Sequence, residues 1–177
     1  MNEIVKKNGV NFGLISGFIS VLITTAVYAT NLEFFTKWWL GLIMIGISLS
    51  LSIMLMLKTK KEVKEHFNFK NAFTTYFIYT LIAIVISVLF NIVLFNFIDV
   101  NAKETIKELT IRFSMEVMER FNTPKEVMQE ALEKMENQDQ FGITEQIKGL
   151  FISLSLSSIF GLILAAIFKT KSTNQGF

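Results

Sequence analysis

The chain has no cysteine, one proline, one histidine and two tryptophans in 177 residues. The first absence excludes disulfides, thiolate nucleophiles and sulfur-ligated zinc. It leaves the compartment open, because a cysteine-free chain suits either side of a membrane. A lone histidine cannot assemble a metal site, so His66 reads as a solvated or interfacial residue. The scarcity of proline fits unbroken helices and removes the interrupted helices on which many transporters build their sites. Also missing are GxSxG, HExxH and a glycine loop for phosphate. No catalytic residue, cofactor or metal site is therefore assigned, and an enzyme is not expected. The formal net charge is +2, without a soluble basic face, so nucleic acid is not expected as a partner.

Charge is absent in a second, more telling way. Four apolar runs, 10–29, 38–57, 73–98 and 149–168, contain no Asp, Glu, Lys or Arg. Each is about as long as a helix needs to cross ~30 Å of hydrocarbon. This predicts an all-α fold, an integral membrane four-helix bundle in one membrane domain, 1–177, with the lipid bilayer as its first partner. Trp38 and Trp39 open the second run, where indole rings suit the headgroup level. Lys6 and Lys7 before the first run, and Val27-Tyr28-Ala29 near its end, also suit a cleaved signal peptide. The length of that run and its glycines argue for a retained span.

Orientation follows from lysine placement. Lys6, Lys7, Lys58, Lys60, Lys61, Lys64, Lys70, Lys169 and Lys171 fall on one side. The first loop has only Lys37, and in region 99–148 acidic residues outnumber basic ones. Both termini are expected in the cytoplasm and region 99–148 outside. In that region Ala102, Ile106, Leu109, Phe113, Val117 and Phe121 recur at helical spacing. Asn122-Thr123-Pro124-Lys125-Glu126 reads as a break and restart, with Thr123 as cap and Glu126 closing a capping box. An extracytoplasmic amphipathic helical hairpin is expected between spans three and four. Glu116, Glu119, Glu126, Glu130, Glu133 and Glu136 read as its solvated face.

Small residues recur every fourth position in two spans: Gly9, Gly13 and Gly17 in the first, and Gly149, Ser153, Ser157, Gly161 and Ala165 in the fourth. Close backbone approach over such residues supplies packing that lipid cannot. The expected contact is between spans one and four, or between two copies in a homo-oligomer. Asn91 is the candidate polar residue inside the membrane and is expected to bond another helix. The serines at 48, 50 and 52, and at 153, 155 and 157, alternate. On a helix they point to different faces, so no polar stripe is expected.

Taken in order, these elements resemble a bacterial family of small four-span membrane proteins catalogued as a domain of unknown function, number 4199. Lys7-Asn8-Gly9 followed by Gly13 and Gly17 looks like its opening. Phe69-Lys70-Asn71-Ala72-Phe73 is similar to its approach to span three, and Asn96-Phe97-Ile98-Asp99 resembles the exit. Val100 stands where the family often has proline. The resemblance implies four helices in a bacterial cytoplasmic (inner) membrane and supplies no activity. The leading expectation is a small non-enzymatic membrane subunit that binds a protein or lipid partner through Ile106, Leu109, Phe113, Val117 and Leu132. The rival is a component of a small-solute transporter or channel, with Asn91 lining the path.

Overall fold

A computed structural model describes residues 2–170; Lys171 and the rest of the tail lie outside the described residues. The described residues contain no strand. Helix α1 spans Glu3–Thr30, α2 Trp38–Val63, α3 Phe69–Val93, α4 Val100–Arg120, α5 Lys125–Asn137 and α6 Ile143–Phe168. Helices α1, α2, α3 and α6 are each long and apolar enough to cross a membrane, which makes this a multi-pass membrane protein. All four begin or end beyond the predicted runs: α1, α3 and α6 start earlier, at Glu3, Phe69 and Ile143, and α2 ends later, at Val63.

The glycines of α1 do not meet α6. A Cβ added at Gly9 would stand 2.9 Å from the Thr75 carbonyl, and one at Gly13 2.8 Å from Ile82 Cβ. Gly17 is closed in the same way by Ile86. The expected contact between spans one and four is therefore corrected: α1 beds into α3, and α6 packs on another side of α3. β-Branched Ile78, Ile82 and Ile86 supply stiff ridges for the glycine groove.

Burial is concentrated at one end of the bundle. Val5, Leu55, Met56, Phe67, Ala72, Tyr76, Leu164 and Ala165 form a closed core there. The charge ring of Lys6, Lys7, Lys58, Lys61 and Lys64 surrounds this lysine end. Polar ties lock it. Asn8 Nδ2 donates to Thr59 Oγ1 at 3.2 Å and to Glu62 Oε2 at 2.7 Å. Asn68 caps α3 through the Asn71 N–H, and Asn71 Nδ2 donates to the His66 carbonyl at 2.7 Å. The Thr170 N–H and hydroxyl reach the Phe67 and Lys64 carbonyls.

Toward the other end, the hairpin end, the helices splay. Gly41, Gly46 and Gly149 have no neighbour within 4 Å of an added Cβ. A second, smaller core closes that end: Leu94, Phe95, Ala102 and Ile106, with Tyr28, Phe35 and Phe141 around them. A π-helical turn at Leu94–Ile98 ends span three. Asp99 then caps α4 through the Ala102 N–H at 3.0 Å and accepts from the Tyr28 hydroxyl at 2.8 Å. These two donors, Tyr28 first, hold the Asp99 carboxyl below the usual aspartate range.

The break between α4 and α5 differs from the capping box expected. Asn122 takes a left-handed φ of 53° and ends α4, with the Thr123 N–H bonded back to the Met118 carbonyl at 3.0 Å. Pro124, not Thr123, occupies the N-cap of α5, and no side chain caps it. The Thr123 N–H is spent on closing α4, and Asn tolerates the left-handed turn that makes this bond.

Two outcomes follow. Gly13→Ala should lower unfolding free energy in mixed micelles by roughly 1–3 kcal/mol through overpacking. Gly46→Ala, in open space, should change it by less than about 0.5 kcal/mol. The Asp99 contribution is complete above the ordinary aspartate pKa of about 3.9 and is lost as pH falls through the depressed folded value. The hydrogen-exchange protection factors at the start of α4 should therefore fall at acid pH, and Asp99→Asn should abolish that pH dependence.

Candidate functional site

Helices α4 and α5 present less free apolar surface than their periodicity suggests. Ile106 is 1% exposed, seated among Leu94, Phe95 and Ala102. Leu109, Val117 and Leu132 are half-buried, and Phe113 sits at an exposed edge beside Arg112 and Glu116. Of the candidate partner surface Ile106, Leu109, Phe113, Val117 and Leu132, Ile106 is corrected: it is buried inside the chain and offers no face to a partner. The first loop folds as a 3-10 turn, Leu32–Thr36, against α4, and the cluster holding Ile106 includes Leu32 and Phe35. Lys103 pairs with Asp139 at 2.8 Å and Lys107 donates to the Glu136 carbonyl, fastening the far end of α5 to α4.

The splayed half of the bundle holds a cavity of about 730 Å³ between α1, α2, α3 and α6, open on one side. Serines from all four helices line it. Ser16 and Ser20 come from α1, Ser48 and Ser52 from α2. Ser87 comes from α3, and Ser153 and Ser157 from α6. Residues four apart share a helix face. The alternating triplets therefore divide: 48 and 52, and 153 and 157, turn inward. Ser50 and Ser155 turn outward and bond the carbonyls of Gly46 and Phe151. The expectation of no polar stripe considered each triplet alone and is corrected by the convergence of four helices.

One tyrosine organises this wall. The Tyr79 hydroxyl lies 3.3 Å from Ser16 Oγ, 3.2 Å from Ser48 Oγ and 3.1 Å from the Ser48 carbonyl. It joins α1, α2 and α3 inside the bundle, and Tyr79 is 1% exposed. One turn higher, Ser20 and Ser87 hydroxyls meet at 3.0 Å and join α1 to α3 again. By contrast, Ser153 and Ser157 make no side-chain hydrogen bond among the described residues, although both line the cavity. The fourth-span stripe thus has two jobs. Gly161 and Ala165 pack, Gly161 so closely that an added Cβ would lie 2.5 Å from the Tyr76 ring, whereas Ser153 and Ser157 face the cavity.

Asn91 does not bond another helix. It lines a smaller cavity of about 350 Å³ with Gln140, Glu145 and Gln146. This cavity shares Ile84, Ser87 and Ser153 with the serine cavity, so the two adjoin. Asn96 donates to the Phe141 carbonyl at 2.8 Å and pins the loop before α6. Tyr79, Asn8 and Asn96 were not singled out as site residues. The tyrosine's only sequence signal is a phenol in the middle of an apolar run, where its hydroxyl must find a partner.

Interhelical hydrogen bonds in membrane bundles contribute about 0.6 kcal/mol each, rising to about 1.7. Tyr79→Phe, which removes three contacts at once, should cost about 1–2 kcal/mol in mixed-micelle unfolding while leaving helix content unchanged by circular dichroism.

No curated protein and no solved structure matches the chain. A protein-family match covers residues 11–170, beginning just after Lys7-Asn8-Gly9. On that coverage the chain belongs to the family described as Protein of unknown function (DUF4199).

Proposed function

We propose that this protein is a non-enzymatic membrane subunit that binds an uncharged, hydrogen-bonding lipid in the serine cavity. The observation that carries this reading is the seven serine hydroxyls converging on one cavity that has no charged lining residue. A hydroxyl without a partner in hydrocarbon costs about 1–3 kcal/mol, so Ser153 and Ser157 favour a ligand or water that bonds them. An ionised headgroup would find no countercharge there. The α2–α6 side of the cavity is apolar and open: Ile45 and Leu156 are well over half exposed, with Leu49 and Phe160 beside them. This rim suits an acyl chain whose head reaches the serines. The hydroxyls have no carboxylate or imidazole beside them to take a proton, which supports binding over catalysis.

The same proposal sets the protein in a bacterial cytoplasmic membrane with both termini inside and the α4–α5 pair outside. Its support is the gathering of lysines at one end of the bundle and the acidic excess at the other. A second reading, passage of a small uncharged solute, draws on the adjoining cavity lined by Asn91.

Photocrosslinking in native membranes tests the first reading. A diacylglycerol carrying a diazirine in one acyl chain should label α2 and α6 near Leu49 and Phe160. Ser157→Leu should reduce that labelling by about tenfold, the equivalent of about 1.4 kcal/mol. Equal labelling by a phosphatidylglycerol probe, insensitive to Ser157→Leu, would count against it. Liposome flux lost in Asn91→Leu would favour the second reading.

A further inference from the structure

We infer that the serine cavity is the blind end of a one-sided, water-accessible vestibule that opens at the hairpin end through Asn91 and is sealed toward the lysine end. The inference rests on the cavity reading above and adds its access route. Three observations carry it. The lower boundary of the cavity is Tyr76, 6% exposed and seated against Gly161. Beneath it lie Leu55, Met56, Ala72, Leu164 and Ala165, all nearly or fully buried, with Thr59 fully buried further down, and no cavity-lining position. Above it, the lining changes from serine to Asn91, then to Gln140, Glu145 and Gln146 at the base of the external region. Polar lining groups of the two adjoining cavities thus run from the middle of the bundle to the hairpin end, whereas the buried polar groups toward the lysine end, such as Asn8 and Thr59, are paired within the packed core.

The side chains along this route also lack protein partners where a route requires it. Asn91, Ser153 and Ser157 make no side-chain hydrogen bond among the described residues, whereas exposed Ser50 and Ser155, and Ser52 at the closed end of the cavity, bond back to their own helices. Polar groups in a bilayer remain unpaired by protein only where water or a ligand reaches them. The ligand class that fits is one with an uncharged head that exchanges hydrogen bonds with hydroxyls and an amide. Such a head is hydrated from the hairpin side, and its chain lies in the α2–α6 opening. The packed core below Tyr76 closes the direct path between the helices toward the lysine end, and the open groove lined by Phe12, Ile15 and Lys58 meets the cavity only at apolar Ile19.

The absence of cysteine makes the test direct, because each introduced thiol is the sole reactive one. Ser87→Cys and Ser153→Cys place it along the route, Ser50→Cys and Ser155→Cys on the lipid face, and Thr59→Cys in the sealed core. Gln129→Cys and Lys61→Cys mark the two membrane sides. Intact cells and inverted vesicles are treated with a sulfonate-bearing methanethiosulfonate. Whichever preparation labels Gln129→Cys should also label positions 87 and 153, at least about tenfold faster than 50, 155 and 59, because thiols in apolar surroundings hold their proton. The preparation that labels Lys61→Cys should leave positions 87 and 153 unmodified. Modification of 87 and 153 from the Lys61 side, or at the rate of position 50, would overturn the inference. Loss of diacylglycerol capture with this labelling pattern intact would instead retire the lipid reading and leave the vestibule standing.

Discussion

The close approach of α1 to α3 is the constraint on which the rest of this structure depends. In lipid, helices gain little from hiding apolar side chains, so contact must come from dispersion and from polar groups that need partners. Gly9, Gly13 and Gly17 remove the side chains that would hold the two backbones apart, and Ile78, Ile82 and Ile86 fill the groove. The same approach brings Ser20 to Ser87 and Ser16 to Tyr79. Span three thereby becomes the axis of the bundle, and the other spans are arranged around it.

From this axis the bundle divides into two halves with different chemistry. At the lysine end Leu55 and Met56 of α2 and Ala165 of α6 share one core with Ala72 and Tyr76 of α3, Gly161 seats on Tyr76, Thr59 bonds Asn8 of α1, and the interior is closed. Toward the hairpin end they have nothing comparable to pack with, and they diverge. Serine hydroxyls line the resulting wedge because a cavity of this kind, surrounded by lipid, is favourable only when polar groups and their partners occupy it. The α4–α5 region closes that end of the bundle. Its buried stripe, Ala102 and Ile106, stacks on Leu94 and Phe95, and Asn96, Lys103 and Asp139 hold the loop and α5 in place.

Much of this architecture was legible in the residues. Four uncharged runs located the four long helices, and Trp38 marks the first residue of α2. The break at Asn122 and Pro124 and the loop before Ile143 were also readable from turn chemistry. What could not be read was pairing. Fourfold spacing of small residues shows that a helix can be approached closely, and does not say by which neighbour; α1 chose α3 because the isoleucines there complement its groove. Serine hydroxyls separated by a hundred residues carry no joint signal until four helices bring them together. The amphipathic period of α4 was real, but period alone cannot tell a partner's surface from the chain's own first loop. The motifs that carry the family resemblance turn out to be junction devices: Asn8 ties α1 to α2, Asn71 holds the turn before α3, and Asn96 and Asp99 organise the exit of span three.

The most direct measurement is disulfide trapping between Ser20→Cys and Ser87→Cys in the otherwise cysteine-free chain. Their hydroxyls stand 3.0 Å apart, within reach of a sulfur–sulfur bond. Mild oxidation in native membranes should produce an intramolecular crosslink visible as a mobility shift on a non-reducing gel, while Ser20→Cys with Ser157→Cys should give none. A crosslink from α1 to α6 in place of the one to α3 would contradict the arrangement from which both the cavity and its sealed end are derived.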